Sequence, residues 1–357
     1  MRLLVLAIDG RGLGHLNRTL LLADALRAVE PAAEIRFLVE SPAHGLVQQA
    51  GYPVLKLPDP MHPAARQTLE GRRAELEAEL LDAVLDSWRP DGLLLDFVVD
   101  PVLFRLVKQR GLRLLLVMRK LRAGALRELA ADPAADLVDA FILPHDPEEL
   151  APDELPAGLQ KRCHFTGPLV RRLRIERAPA VRQRIAPGAE QLVVVSLGGG
   201  GWPGAAELAE AARTALTQLG ARLDRMVGAI VYGPLYPRRL PADSPKLRSL
   251  HFESELPELM LAADVVVCSA GYNSVQELLA TGTPGILVPL ADPGRDDQQA
   301  RALWAQRTGR VEVARPGAGE LAAAVAKLLK NGEGKRYPPK RVADGSPGDL
   351  LVQLLSM

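Results

Sequence analysis

The segment 263–299 constrains the fold more strongly than any other part of this chain. It contains three consecutive valines before a cysteine, a continuous apolar run typical of a parallel strand that is covered on both faces. A turn then leads into a helix, for which Asn273 or Ser274 is the predicted N-cap. A second buried strand and a polar loop that ends at Gln299 follow. The pattern predicts two loops that meet at the C-terminal edge of a parallel sheet, where α/β proteins bind their ligands.

Glu277 is the acid of that helix and is predicted to lie in its first turn. Val275, Leu278 and Leu279 form an apolar stripe on the core-facing side, so the carboxylate is predicted to face a ligand. The helix N-terminus points its amide hydrogens outward and suits an anion. The alternative is an acid that only stabilises the helix dipole.

Length and composition limit the classes of protein to consider. At 357 residues the chain suits two domains. Its net charge of +1 and its 4% of aromatic residues argue against a nucleic-acid partner. The two cysteines, Cys163 and Cys268, lie far apart and are predicted to be core residues rather than a disulfide or metal ligands. The first apolar run ends before Asp9, too early for a signal peptide or a membrane span, so a cytoplasmic protein is expected.

A strand followed by a glycine-rich turn and a helix occurs twice, at 3–29 and 192–219. Such a turn lets the backbone approach a phosphate or a sugar closely. The glycines of the first copy, G-x-G-x-G from Gly10, do not match the G-x-G-x-x-G dinucleotide fingerprint. The second copy has four consecutive glycines at 198–201, whose ordering costs entropy. We therefore predict an α/β protein with two Rossmann-like, doubly wound domains that face a cleft.

The domain boundary is predicted at Gly167-Pro168. The expected parts are an N-terminal domain over 1–168, a C-terminal domain over 169–330, and a linker with a C-terminal helix over 331–357. One option for this last part is that it packs back on the N-terminal domain. Six arginines follow the boundary within fourteen residues: Arg171, Arg172, Arg174, Arg177, Arg182 and Arg184. A solvated linker and helix face is the favoured interpretation, and a phosphate or an anionic membrane surface is the alternative.

The expected secondary structure alternates between strands and helices. Strands are predicted at 3–8, 35–39, 54–58, 92–96, 114–118, 140–144, 192–197, 226–233, 247–252, 265–268 and 286–289. Helices are predicted from Leu16 and at 43–50, 64–88, 205–219, 256–262, 318–330 and 350–355. Two carboxylates, Asp96 and Asp100, stand at or just past the end of one strand, at the edge where ligands bind.

The stretch 252–299 resembles the donor-binding signature of GT-B glycosyltransferases of the MurG-like, family 28 type. The elements that carry the resemblance are the run at 263–268, Ser269-x-Gly271, Ser274-Val275-x-Glu277, Gly282-x-Pro284, Val288-Pro289 and Asp297-Gln298-Gln299. The segment 12–15 resembles the N-terminal glycine loop of the family, and 166–171 resembles its interdomain linker. Over 30–160 the likeness is architectural.

The resemblance implies a nucleotide-sugar site in the second domain. Glu277 would accept hydrogen bonds from the ribose hydroxyls, Ser274 and nearby amides would hold the diphosphate, and Gln298 and Gln299 would contact the sugar. The backbone near Phe252 would lie against the base. The predicted donor-binding residues are Gly12, Gly14, Arg18, Gly198, Gly199, Gly200, Phe252, Glu253, Ser269, Gly271, Asn273, Ser274, Glu277, Asp297, Gln298 and Gln299.

The resemblance also implies a role for His15, as the base that acts on the acceptor hydroxyl or as a contact to the donor. An imidazole suits proton abstraction near neutral pH. Asp96 or Asp100 would orient the imidazole or bind acceptor hydroxyls, and each is alternatively a helix N-cap. Arg18, one turn along, would face a phosphate or an acceptor carboxylate.

The predicted function is that of a hexosyltransferase-type glycosyltransferase with a UDP-sugar donor and a small-molecule, lipid-linked or glycan acceptor. Inversion is expected, because the E-x7-E pair typical of retaining enzymes occurs only at Glu312 and Glu320, beyond the nucleotide loop. No metal or cofactor is expected, since helix N-termini can neutralise the leaving diphosphate. The sequence of residues 16–20 differs from that of the cell-wall enzymes of the family. A nucleotide-sugar hydrolase resembling that of the pseudaminic acid pathway is therefore an alternative function. A UDP-sugar 2-epimerase and a non-catalytic sugar-nucleotide binding protein are further rivals. Peripheral contact with a membrane and the oligomeric state stay open.

Overall fold

A computed structural model describes residues 1–8, 12–57, 73–96, 99–290, 297–309, 311–331 and 347–357. The chain divides into two compact units, one formed by 1–169 with 343–357 and the other by 170–342. Each unit contains its own parallel sheet and core. Within the described ranges, no helix combines the length and the apolar character needed to cross a membrane.

The first unit is built on a seven-stranded parallel sheet. Its strands are β1 (Arg2–Ala7), β2 (Glu34–Val39), β3 (Val54–Lys56), β4 (Gly92–Asp96), β5 (Arg113–Val117), β6 (Ala140–Leu143) and β7 (Cys163–Phe165), in the order β3-β2-β1-β4-β5-β6-β7. The α-helices described in this unit are α1 (Gly14–Val29), α2 (Gly45–Gln49), α3 (Arg73–Trp88), α4 (Pro101–Gln109), α5 (Ala123–Ala131), α6 (Ala157–Gln160) and α13 (Pro347–Ser356). Apart from Arg2 at the start of β1 and Arg113 at the start of β5, the central strands β1, β4 and β5 are buried, as their Leu- and Val-rich runs predict.

The second unit contains a six-stranded parallel sheet. Its strands are β8 (Gln191–Ser196), β9 (Met226–Val231), β10 (Leu247–Leu250), β11 (Val265–Ser269), β12 (Gly285–Val288) and β13 (Val311–Val313), in the order β10-β9-β8-β11-β12-β13. The α-helices described here are α7 (Ala178–Ile185), α8 (Ala205–Gly220), α9 (Leu256–Ala262), α10 (Tyr272–Thr281), α11 (Gln298–Arg307) and α12 (Ala318–Asn331). Apolar clusters cover both faces of this sheet. The predicted fold class, two parallel-sheet α/β units, is confirmed.

The C-terminal helix α13 packs on α1 of the first unit. The contact depends on a glycine, because a Cβ at Gly348 would stand 2.2 Å from the carbonyl oxygen of Ala25. Leu355 of the same helix lies against Gly92 at the start of β4. The end of the chain therefore belongs to the first unit.

Several details differ from the sequence-based expectations. Helices α4, α5, α6 and α11 and strands β7 and β13 were not predicted, since short elements have weak periodicity. The strand predicted at 247–252 ends at Leu250. The helix predicted at 64–88 is described from Arg73, and its residues 64–72 lie outside the described ranges. Most of the linker expected after Asn331 lies outside them as well.

Candidate functional site

Both sheets reverse their strand order at one point. In the first unit this point lies between β1 and β4, and in the second it lies between β8 and β11. Loops that leave neighbouring strands in opposite directions open a crevice at the C-terminal edge of such a sheet, where ligands of this architecture bind. Most of the predicted site residues follow the strands at these two points, whereas Phe252 and Glu253 follow β10 at the edge of the second sheet.

In the second unit the crevice is bordered by the N-terminus of α10. Gly271 is the N-cap residue, with extended backbone and no side-chain cap, so the prediction of Asn273 or Ser274 as the cap is wrong. Asn273 and Ser274 instead lie in the first helical turn. Ser274 faces the glycine turn after β8, since a Cβ built on Gly198 would stand 3.8 Å from its Oγ. Amides of a helix N-terminus and a hydroxyl are thereby brought together, an arrangement suited to an anion.

The carboxylate of Glu277 is bound by an arginine. The Arg171 Nε donates to Oε1 at 2.7 Å and its Nη2 donates to Oε2 at 3.2 Å, the bidentate geometry that makes such pairs strong. Glu277 is only 6% exposed, and it lies in the second turn of α10 rather than the first. Burial lowers the pKa of the Arg171 guanidinium, but the charge of Glu277 outweighs burial, and the net shift is upward. The carboxylate that was predicted to face a ligand is therefore already held by Arg171, and each of its oxygens retains a second lone pair for a ligand hydroxyl.

Arg171 belongs to the cluster of six arginines, most of which contact acids of the second unit. Arg174 donates to Glu258 at 2.9 Å, and Arg182 donates to Asp264 at 2.9 Å. Glu255 accepts from Arg177 at 2.8 Å. Arg172, Arg174, Arg177 and Arg184 are exposed, as expected for a solvated linker and helix face. The acids named above lie 78 to 106 residues from their arginines and could not be paired with them from sequence alone.

The four-glycine turn after β8 is fixed by a neighbouring loop. A Cβ at Gly200, which has φ +81°, would stand 2.2 Å from the carbonyl oxygen of Tyr232. The amide of Leu235 donates to the carbonyl of Gly199 at 2.9 Å. The glycine turn therefore does approach another group closely. In the structure that group is the backbone of the loop after β9.

Gln298 and Gln299 were predicted to end a loop, but they begin helix α11. Asp297 caps that helix by accepting from the amide of Ala300 at 2.9 Å. The side-chain oxygen of Gln298 accepts from the amide of Leu290 at 3.1 Å, so this residue also fixes the chain after β12. Gln299 is exposed. The polar residues expected to contact a sugar are thus held on a helix at the same edge of the sheet.

Phe252 and Glu253 follow strand β10. Phe252 is 40% exposed, whereas the Glu253 carboxylate is buried and paired with Arg184 at 2.9 Å. Glu253 also accepts from the amide of Glu255 at 2.9 Å. The Glu253 side chain therefore shapes the loop. The prediction assigned the backbone of this loop, and not its side chains, to contact with the base of the nucleotide.

Sequence reasoning missed Arg301 of α11. This side chain is 5% exposed, and its Nη1 donates to the carbonyl of Ala270 at 2.9 Å, in the turn between β11 and α10. It places a positive charge beside the turn predicted to hold a diphosphate. A single arginine in a polar helix gives no sequence signal for this role.

In the first unit, His15 and Arg18 of α1 meet Asp96 at the end of β4. The Nδ1 of His15 lies 3.0 Å from Asp96 Oδ1 and 2.9 Å from its backbone oxygen. Both are acceptors, so Nδ1 carries the proton and Nε2 is the basic nitrogen of the neutral ring. Burial alone would raise the pKa of the Asp96 carboxyl, but the charge of Arg18 and the hydrogen bonds that Arg18 and His15 donate outweigh burial and hold the pKa well below its usual range.

Arg18 was predicted to face a phosphate or an acceptor carboxylate, but its side chain is bound to Asp96 instead. It is 1% exposed, and its Nε and Nη2 donate to the two oxygens of Asp96 at 2.7 and 3.0 Å. Asp100 caps α4 by accepting from the amides of Val102 and Leu103. Of the two candidate acids, Asp96 is therefore the one that orients the imidazole.

The glycines of the first loop stand immediately before His15. Gly14 is the first residue of α1 and lies against the Arg18 side chain, where an added Cβ would be 3.3 Å from Nη1. Gly12 is buried. Among the residues that the structure describes, there is no group of three or more His, Cys, Asp or Glu side chains arranged to hold a metal ion.

Comparisons with known proteins relate the second unit to a known domain family. The model of the glycosyltransferase family 28 C-terminal domain matches residues 194–344. The UDP-N-acetylglucosamine–N-acetylmuramyl-(pentapeptide) pyrophosphoryl-undecaprenol N-acetylglucosamine transferase of Salinibacter ruber is 29% identical over 325 residues, which cover 85% of this chain and 82% of the relative. The enzyme of the same name from Nocardia farcinica is 27% identical, with 86% and 82% covered.

Solved structures share the fold. MurG of Acinetobacter baumannii superposes with a TM-score of 0.59 at 14% identity, over 100% of this chain and 99% of that one. A UDP-GlcNAc 2-epimerase from Neisseria meningitidis, bound to UDP-GlcNAc, superposes with a TM-score of 0.66 at 11% identity over the whole of both chains. The chain is a glycosyltransferase with the GT-B fold, similar to the MurG enzymes, and its second unit carries a glycosyltransferase family 28 C-terminal domain.

Proposed function

We propose that this chain transfers N-acetylglucosamine from UDP-N-acetylglucosamine to a hydroxyl group of a lipid-linked acceptor, with inversion and without a metal. The observation that carries the proposal is the contact between His15 Nδ1 and Asp96, because it leaves Nε2 as the basic nitrogen of an imidazole. A general base is the group that transfer to a hydroxyl requires. The donor and acceptor classes are supported by the names of the relatives above, which use this donor and a pyrophosphoryl-undecaprenol carrier.

In the proposed reaction, Nε2 of His15 accepts the proton of the acceptor hydroxyl. The oxygen attacks the anomeric carbon from the side opposite the nucleotide, a new glycosidic bond forms, and the bond from that carbon to the diphosphate oxygen breaks. The electron pair leaves with UDP. Asp96 keeps the imidazole in the required tautomer and stabilises the imidazolium, as a buried and ionised carboxylate can.

On the donor side, we propose that Glu277 accepts hydrogen bonds from the ribose hydroxyls while Arg171 holds it in place. The amides at the N-terminus of α10 and the hydroxyl of Ser274 would stabilise the diphosphate as its charge develops. Arg301 adds a fixed positive charge behind that turn. These groups supply the stabilisation of a leaving diphosphate that a metal supplies in other enzymes.

The test is release of UDP from UDP-N-acetylglucosamine with and without an undecaprenyl-linked acceptor. We expect release to depend on the acceptor and to be unchanged by a chelator. His15→Ala is expected to lower turnover by about 10²- to 10⁴-fold while UDP affinity is retained. His164→Ala is the matched control, because His164 lies in β7, away from β1 and β4 in the sheet. Turnover that survives in His15→Ala would refute the proposed base, and fast release without an acceptor would indicate a hydrolase.

A further inference from the structure

Trp202 is a large aromatic side chain on the turn that joins β8 to α8, and it is 36% exposed. Among the exposed large hydrophobic residues in the described ranges, two are aromatic, Trp202 and Phe252. Both follow the C-terminal end of a strand in the second sheet. Exposed aromatic surface concentrated at a ligand-binding edge is a feature of binding sites, where aromatic side chains line the pocket.

The turn that carries Trp202 spans the distance between two parts of the candidate donor site. At one end, Gly198 faces the Oγ of Ser274, beside the proposed diphosphate position. At the other end, a Cβ on Gly204 would stand 3.7 Å from the Leu290 side chain. The amide of Leu290 is in turn held by Gln298, a proposed sugar contact. Trp202 therefore stands on a turn whose one end reaches the part of the site assigned to phosphate and whose other end reaches Leu290, next to the part assigned to the sugar.

The backbone that presents Trp202 makes close contacts with neighbouring segments. Gly198, Gly200 and Gly204 all have positive φ, and a Cβ at Gly200 would stand 2.2 Å from the carbonyl oxygen of Tyr232. The carbonyl of Trp202 accepts from the amide of Ala205 at the start of α8, at 3.1 Å. The turn is therefore held by its neighbours while the indole of Trp202 stays partly exposed at the binding edge.

We infer that Trp202 is a specificity-determining residue whose indole face packs against the C–H face of the donor hexose. The inference rests on the proposed function, because it adds a sugar contact to the same donor site. A pyranose ring presents a flat array of C–H groups, and an indole provides a large apolar surface to cover it. The nucleotide alone has no such ring at that position, so Trp202 should distinguish UDP-sugar from UDP.

The experiment compares calorimetric affinities for UDP and for UDP-N-acetylglucosamine in the full chain, in Trp202→Ala and in Trp202→Phe. We expect Trp202→Ala to lose about tenfold in affinity for the UDP-sugar and less than twofold for UDP, which corresponds to about 1.4 kcal/mol for the sugar contact. Trp202→Phe should retain most of the affinity, since a smaller ring still covers the sugar. Leu303→Ala, which truncates another exposed apolar side chain of the second unit, is the control and should change neither affinity.

Quenching of tryptophan fluorescence by acrylamide provides a second readout. UDP-N-acetylglucosamine should protect the exposed indole from the quencher, UDP alone should not, and the protection should vanish in Trp202→Phe. Equal losses for UDP and UDP-sugar in Trp202→Ala, or no loss for either, would overturn the inference while the proposed function stands. Unchanged donor affinity with a raised KM for the acceptor would also overturn it. A wild-type chain that binds neither ligand would refute the proposed function itself.

Discussion

Replacing Arg171 by methionine removes the guanidinium that holds Glu277 and keeps a side chain of similar length. Loss of one partner of a fully buried ion pair costs about 3–5 kcal/mol. The Arg171 side chain is 30% exposed, so water can partly solvate the carboxylate left behind, and we expect a loss of roughly 2–3 kcal/mol in the free energy of unfolding. For a domain of this size, that loss corresponds to a fall of about 4–12 °C in Tm.

A double-mutant cycle separates the pair from other effects of the substitution. Arg171→Met, Glu277→Gln and the double variant are compared by chemical denaturation, with Arg172→Met as the control because Arg172 is the exposed neighbour in the chain. We expect a coupling energy of about 2 kcal/mol between Arg171 and Glu277. Effects that add to within about 0.5 kcal/mol would show that the pair does not fix Glu277 and would refute this reasoning.

The same variants report on the donor site. Glu277→Gln removes the charge that strengthens hydrogen bonds to the ribose, so UDP affinity should fall about tenfold or more. Arg171→Met should lower UDP affinity as well, because the carboxylate is no longer held in one orientation. If calorimetry shows that UDP affinity is unchanged in both variants, Glu277 does not bind the ribose.

Three further predictions follow from buried groups and backbone geometry. Asp96→Asn should lower the free energy of unfolding by about 3–5 kcal/mol, measured by denaturation, because a buried arginine loses its anion; a change below about 1 kcal/mol would contradict this. Gly200→Ala should lower the free energy of unfolding by more than about 2 kcal/mol in the same assay. Gly188 also has positive φ but open space around it, so Gly188→Ala should lower the free energy of unfolding by only about 1 kcal/mol. Equal effects of the two substitutions would show that the close approach at Gly200 is unimportant. Burial raises the pKa of the Cys268 thiol to about 12 and that of Cys163 to about 11, so both should react slowly with a thiol reagent at pH 8 and rapidly after unfolding, and fast reaction of the native chain would be the contrary result.

The fold was predictable because its strands are continuous apolar runs. β4 and β11 are buried at every position, and such runs are hard to interpret in any other way than as parallel strands inside an α/β fold. Elements at the edges were missed, as β7 and β13 are three residues long. Short strands have too few residues to show a periodicity.

The candidate site was predictable in its positions and less so in its contacts. Glu277, His15 and Asp96 were identified because each follows a strand that leads to the binding edge. Their partners were not, since Arg171 pairs with an acid 106 residues away. Arg18 was assigned to a ligand and is instead bound to Asp96, 78 residues away. Side-chain pairing across strands depends on the tertiary fold, and local pattern contains no information on it.

The measurement that tests the central claim most directly is an NMR time course with UDP-N-acetylglucosamine carrying a ¹³C label at the anomeric carbon, in the presence of the lipid-linked acceptor. The account predicts that the label moves into a glycosidic bond on the acceptor, with the anomeric configuration opposite to that of the donor. It also predicts that this product is lost in His15→Ala. Appearance of the label in the free sugar, or in a UDP-sugar epimerised at C2, would contradict transfer and would identify the chain as a hydrolase or an epimerase.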